Sequence, residues 1–161
     1  MNRKPFHIIV VVIGLYLAAI LQASVSPHLA VFHVPPDFLL LGIVFLALRA
    51  GRVGGAVIGF FDGLLMGAIA GANIQHYIAG RIIAGWITGF IGTMELDKSM
   101  FLTILVSVLV VICSQGILIV LAPSPSVTFT LEATIGTAVY NGVFAIPFYW
   151  LLKRVQDSNT R

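Results

Sequence analysis

Between residues 51 and 71 glycine recurs at every fourth position: Gly51, Gly55, Gly59, Gly63, Gly67 and Gly71. The positions between them are apolar, among them Val53, Val57, Ile58, Phe60, Phe61, Leu64, Leu65, Met66 and Ile69. In water this is a poor helix, because an interior glycine costs about 1 kcal/mol relative to alanine. In lipid the backbone must satisfy its own hydrogen bonds, so the helix forms anyway. There the missing side chains let a second helix approach closely. Four residues advance about 400° around a helix, so each glycine is offset by about 40° from the last. The ladder is therefore a slanted groove along an i±4 row. It predicts a seat for a neighbouring helix at the right-handed crossing typical of small-residue motifs.

The lipid reading rests on composition. Of 161 residues, 59% are hydrophobic and 9% charged, with a mean hydropathy of +1.05. A soluble domain carries about 25% charge. The expected fold is an all-α integral membrane protein, a six-helix transmembrane bundle in a single domain, residues 1–161. Six spans of about 20 residues would use about 120 positions. The net charge of +3 is too small and scattered for nucleic acid. The lone Cys113 allows no internal disulfide and forms no redox motif.

The spans are expected at about 6–25, 36–50, 53–72, 77–94, 100–121 and 133–152. Arg3 and Lys4 before an apolar run imitate a signal peptide, but Leu21-Gln22-Ala23 is a poor cleavage site. The first helix is read as uncleaved. Its pairs Gly14 with Ala18, and Ala19 with Ala23, form a candidate face for a partner helix. The second span follows Pro35-Pro36-Asp37 and covers only about 20 Å, short of a hydrocarbon core of about 30 Å. Six crossings put Arg3, Lys4, Arg49, Arg52, Lys98, Lys153, Arg154 and Arg161 on one side, leaving only Arg81 elsewhere. By the positive-inside rule that side is cytoplasmic, with both termini in it. Eleven of the sixteen glycines lie from Gly51 to Gly92, so the third and fourth helices are expected at the centre of the bundle. The fifth, rich in Val, Ile and Leu, is expected to face lipid.

Three intramembrane polar residues stand out: Asp62, Arg81 and Asn141. A carboxylate at mid-membrane costs about 2.5–3.5 kcal/mol on insertion scales, so it wants a partner. Asp62 lies about 15 Å below the outer end of its helix and Arg81 about 6 Å below that of its own. An Asp62–Arg81 pair is expected. Replacing either alone should reduce folded protein, and the double change should partly restore it. A proton or ion pathway would want several intramembrane carboxylates, and Asp62 alone is read as one. Asn141 is expected to hydrogen-bond a neighbouring helix.

His28, His33 and His76, with Asp37 nearby, fit no zinc spacing. Gly51, Gly54 and Gly55 lack the Lys-Ser/Thr of a phosphate loop. Ser107 and Ser114 have no intramembrane histidine beside them. No catalytic set, cofactor site or metal site is expected, which favours a non-enzymatic membrane scaffold. A transport subunit is the alternative, with Asn73, Gln75, His76, Tyr77 and Trp86 as the outer pocket.

Three stretches resemble the MreD family of bacterial rod shape-determining membrane proteins. They are Val34-Pro35-Pro36-Asp37-Phe38-Leu39-Leu40-Leu41, then Gly59-Phe60-Phe61-Asp62-Gly63-Leu64-Leu65, then Asn141-Gly142-Val143 with Pro147 and Leu151-Leu152-Lys153-Arg154-Val155. The chain departs from the family's pattern in one place. Relatives commonly have an aspartate about where Gly67 stands, whereas the acid here is Asp62, about one turn earlier. The resemblance implies a multi-pass protein of the bacterial cytoplasmic membrane in the cell-wall elongation complex. It implies direct binding of MreC, and action with MreB, RodA and its transpeptidase partner in maintaining shape and organising peptidoglycan synthesis. It also implies a fold similar to the substrate-binding S components of energy-coupling-factor transporters, whose vitamin binding is the alternative function.

Overall fold

The computed structural model describes residues 8–31, 34–71, 74–94, 96, 99–123 and 126–158. Arg3, Lys4, His33, Asn73, Lys98 and Arg161 lie outside them, as does the side chain of Arg154. The described residues form five α-helices: α1 (Ile8–Ser24), α2 (Phe38–Ala70), α3 (Ile74–Ile91), α4 (Met100–Leu121) and α5 (Val127–Ser158), with a 3-10 turn at Ser26–Leu29. The only strand-like pairing among them is a single bridge between Val31 and Val34. Two helices, α2 and α4, are long and apolar enough to cross a membrane, and α1 is a shorter apolar helix. The outer surface is apolar, with Ile8, Ile9, Val53, Phe101, Val120, Val139 and Trp150 exposed. Such a surface suits hydrocarbon.

α2 is not one straight rod. Gly51 within it has φ 78° and ψ −179°, a non-helical conformation that glycine alone adopts readily. A continuous helix would hold Asp37 and Asp62, 25 residues apart, about 37 Å from each other. Both instead reach the same guanidinium, that of Arg81. α2 therefore folds back at Gly51 into two arms, a short arm (38–50) and a glycine arm (52–70). Ile58 of the second arm accordingly packs in one core cluster with Leu40, Ile43, Val44 and Ala47 of the first.

The centre of the molecule is the short arm. Leu39, Leu41, Ile43 and Ala47 have no exposed surface. α1 covers it through Leu15, with Gly14 against Leu46 and Ala18 against Gly42. α5 covers it through Phe144 and Phe148, which meet Phe38 and Phe45 at ring-centroid distances of 5.3 and 5.8 Å. This corrects the expectation that the two glycine-rich helices form the centre. A segment shorter than a hydrocarbon core is thick is shielded from lipid by the rest of its chain.

The glycine arm and α3 are flattened against each other beside it. A Cβ added at Gly59 would lie 2.0 Å from the Arg81 carbonyl oxygen, and one at Gly55 2.2 Å from that of Gly85. Gly63 and Gly67 face Ile78 and Ile74 in the same way, with 2.6 and 2.7 Å to their Cα atoms. α3 and the residue that follows it return the arrangement: a Cβ added at Gly85, Gly89 or Gly92 would lie 2.1 to 2.2 Å from the carbonyl oxygen of Gly55, Gly51 or Leu48. The ends of the ladder do other work. Gly51 is the fold-back, and Gly71 is the left-handed cap of α2, with φ 67° and its N–H bonded to the Gly67 carbonyl. The packing groove is thus Gly55, Gly59, Gly63 and Gly67.

α4 meets the expectation of a lipid-facing helix on one side and packs into the protein on the other. Thr103, Val106, Ser107, Val110, Val111 and Ser114 form a buried stripe at helical spacing. Gly80 of α3 lies against Ser114. Only the opposite side, with Phe101, Leu105 and Ile112, is exposed.

Candidate functional site

Folding back at Gly51 leaves the start of the short arm inside the protein. The first N–H groups of a helix have no intrahelical acceptor, and a buried helix start must find them elsewhere. Each acceptor here comes from a different part of the chain. Asp37 caps the arm, its Oδ1 accepting from the Leu40 N–H at 2.9 Å. The Phe38 N–H donates to Gln22 Oε1 of α1 at 2.7 Å. The Asp37 N–H donates to Asn141 Oδ1 of α5 at 2.9 Å, and Asn141 Nδ2 donates back to the Asp37 carbonyl at 3.0 Å.

The preceding prolines bring carbonyls but no N–H groups. Ser26 Oγ donates to the Pro36 carbonyl at 2.7 Å, and Gln22 Nε2 donates to Ser26 Oγ at 3.3 Å. Thr137 of α5 donates to the Pro35 carbonyl at 3.4 Å. Gln22, Ser26, Asp37, Thr137 and Asn141 are all buried.

Charge enters from α3. Arg81 Nη2 meets Asp37 Oδ2 at 2.6 Å, and Arg81 Nη1 donates to Asp62 Oδ2 on the glycine arm. Arg81 is 1% exposed and Asp62 is fully buried. The guanidinium presents its donors as a planar fork, so it can hold two carboxylates at once where a lysine would offer a point charge. The result is a sealed cluster of two acids, one base and an amide at the start of a buried helix. Its chemistry is structural and electrostatic: it fixes the fold-back of α2 against α1, α3 and α5. Asp62 Oδ1 and Arg81 Nε have no hydrogen-bond partner among the described residues.

The Asp62–Arg81 pair expected from the sequence is present. The second carboxylate was missed. Asp37 reads as the polar mouth of a span, and only the depth to which the short arm is buried turns it into an intramembrane acid. The signal was there in its position: an aspartate directly before an apolar helix is an N-cap, and an N-cap followed by a run too short to span is a buried one. Asn141 does bond a neighbour, but at the backbone of Asp37 and not at a side chain.

The expected partner face on α1 splits. Gly14 and Ala18 contact Leu46 and Gly42 within the chain, so that pair is not free for another protein. Ala19 is half-buried and Ala23 exposed. Asn73 lies outside the described residues, and none of the other residues expected in an outer pocket lines either of the two grooves described below. Gln75 is exposed, His76 and Tyr77 are half-buried in the first turn of α3, and Trp86 stacks on Phe90 at 5.8 Å. His28 is exposed, its Nδ1 2.9 Å from the Ser24 carbonyl oxygen. Among the described residues no three His, Cys, Asp or Glu side chains gather as metal ligands.

Two grooves open among the described residues, and no residue of the cluster lines either. One, of about 820 Å³, runs between α1 and the glycine arm, past Leu15, Tyr16, Gly54, Ile58 and Phe61. The other, of about 600 Å³, lies between Val31, Val34 and α5 at Glu132, Gly136 and Tyr140.

Compared with known families, the chain matches the one described as rod shape-determining protein MreD, over residues 3–155. No curated protein and no solved structure matches it. The likeness to transporter S components accordingly has no support beyond the resemblance in sequence.

Proposed function

The chain belongs to the MreD family of rod shape-determining membrane proteins, and on that premise we propose that it is a non-enzymatic scaffold of the cell-wall elongation complex. It binds MreC, acts with MreB, RodA and its transpeptidase partner, and helps organise peptidoglycan synthesis. It crosses the bacterial inner membrane six times, α2 supplying two crossings through its two arms. Both termini are cytoplasmic, as the distribution of Lys and Arg requires.

The observation that carries this reading is the family match over nearly the whole chain. The architecture is in keeping with it. The buried polar groups are spent on the chain's own backbone and on one another. The glycines bring main chain against main chain. Both are devices for a rigid body that presents fixed surfaces.

The test is recovery of the native complex. Affinity purification of the tagged protein from membranes should bring down MreC, and depletion should round the cells. Recovery of transporter ATPase subunits or a tightly bound vitamin, with cell shape unchanged, would replace this reading by the transport one.

A further inference from the structure

The cluster at the start of the short arm contains two carboxylates and one guanidinium. Its hydrogen bonds treat the two acids differently. Both oxygens of Asp37 are occupied by donors, the Leu40 N–H on Oδ1 and Arg81 Nη2 on Oδ2. Asp37 also sits at the positive end of a helix, which favours a negative charge. Asp62 shares only Oδ2 with Arg81, and its Oδ1 is fully buried with no donor among the described residues. An ionised Asp62 would thus place a bare charged oxygen in the interior of a membrane protein, the state in which burial is most costly.

Among the described residues Arg81 is the base paired with these acids. The groups that face Asp62 are Arg81 and Asp37, with Tyr77 one turn before Arg81 on α3. At the cluster α1 contributes Gln22 and α5 contributes Thr137 and Asn141, none of which titrates. α4 carries no acidic, basic or histidine residue over its whole length.

From this geometry we propose that the cluster is a binding site for one proton, carried on Asp62. The proton bonds to Oδ1, removes the charge there, and leaves one carboxylate, Asp37, for one guanidinium. A second carboxylate on the same base is the feature that the sequence alone did not offer, and it converts a simple ion pair into a site that takes up a cation. The protein then holds a proton when folded and releases it when the cluster opens, so its packing responds to pH.

Infrared spectroscopy of the full-length protein in lipid nanodiscs at neutral pH reads this directly. A protonated-carboxyl stretching band should be present in the wild type and absent in Asp62→Asn. Absence of the band in the wild type, or its survival in the variant, overturns the proposal. Thermal unfolding gives a second reading that needs no assignment of bands. A proton bound in the folded state and released on unfolding makes the wild-type midpoint fall as pH rises. Asp62→Asn, which resembles the neutral acid, should fold and should flatten that dependence. A wild-type midpoint that rises with pH across the neutral range, or an Asp62→Asn protein that fails to fold beside a wild type without the band, counts against it.

Discussion

α2 and α3 are joined by two kinds of joint, built in opposite ways. Along Gly55, Gly59, Gly63 and Gly67 the joint is made by taking side chains away until backbones meet. At Asp37, Asp62 and Arg81 it is made by placing charged side chains where no water reaches. The first has no atom to spare for an added group. The second has no atom to spare for a lost one. In lipid, where apolar contact with a helix gains little over apolar contact with a chain, close approach and polar pairing are what hold helices together. This chain interleaves the two on one helix pair: Asp62 stands between Gly59 and Gly63, and Gly59 lies against the carbonyl of Arg81.

The sharpest way to break the comparison is to add bulk to the first joint. Gly59→Leu places carbon 2.0 Å from a backbone carbonyl that cannot move without moving α3. Folded protein, measured as the monodisperse fraction after detergent extraction, should be almost lost. Gly116→Leu should leave that fraction near the wild-type level, because nothing lies within 4 Å of a Cβ at Gly116. Equal behaviour of the two variants would show that the glycine contacts are incidental.

The next largest effect comes from emptying the second joint. Arg81→Met leaves Asp37 and Asp62 buried without their shared base, and removing one partner of a buried ion pair costs about 3–5 kcal/mol. Adding Asp62→Asn to it should recover little of the loss, since Asp62 already carries a proton and Asp37 still lacks a donor on Oδ2. Full recovery in the double variant, measured by thermal unfolding, would mean that Asp37 is not a working member of the cluster. A smaller loss is expected from Asn141→Leu, which removes both bonds to the Asp37 backbone. A buried backbone group left unpaired costs about 1–3 kcal/mol. Asn141→Asp keeps an acceptor for the Asp37 N–H but brings a further acid beside Asp37 and Asp62, and should be no better.

The two joints were not equally legible in the sequence. Glycine spacing announces close packing directly, because a periodic absence of side chains has one physical use in a lipid-embedded helix. Asp62 and Arg81 also announce each other, as lone opposite charges in adjacent apolar helices. Asp37 was hidden by its neighbours: two prolines before it and an apolar run after it are equally the edge of a membrane span. Its role depends on the fold-back at Gly51, and that depends on one backbone conformation within an unbroken four-residue repeat. Sequence spacing records that Gly51 has no side chain but not which way its backbone turns. The central position of the short arm was obscured for a related reason, since a run too short to span reads as a defect until its shielding by α1 and α5 is seen.

Gly71 provides the smallest and most discriminating test, because it shares the four-residue spacing while belonging to neither joint. Nothing lies within 4 Å of a Cβ placed there, so bulk is no obstacle. Its φ of 67° is the obstacle, and a left-handed residue other than glycine costs about 1–2 kcal/mol. Gly71→Ala should therefore lower the thermal midpoint slightly, and Gly71→Asn less, since asparagine tolerates this conformation at helix ends. At Gly67, one step along the ladder, the order should reverse with size alone: alanine meets Ile74 at 2.7 Å and asparagine, being larger, does worse. If asparagine is the better residue at both positions, conformation governs the whole ladder and close approach does not. If it is better only at Gly71, one repeat carries two separate demands, and the contacts that join α2 to α3 end at Gly67.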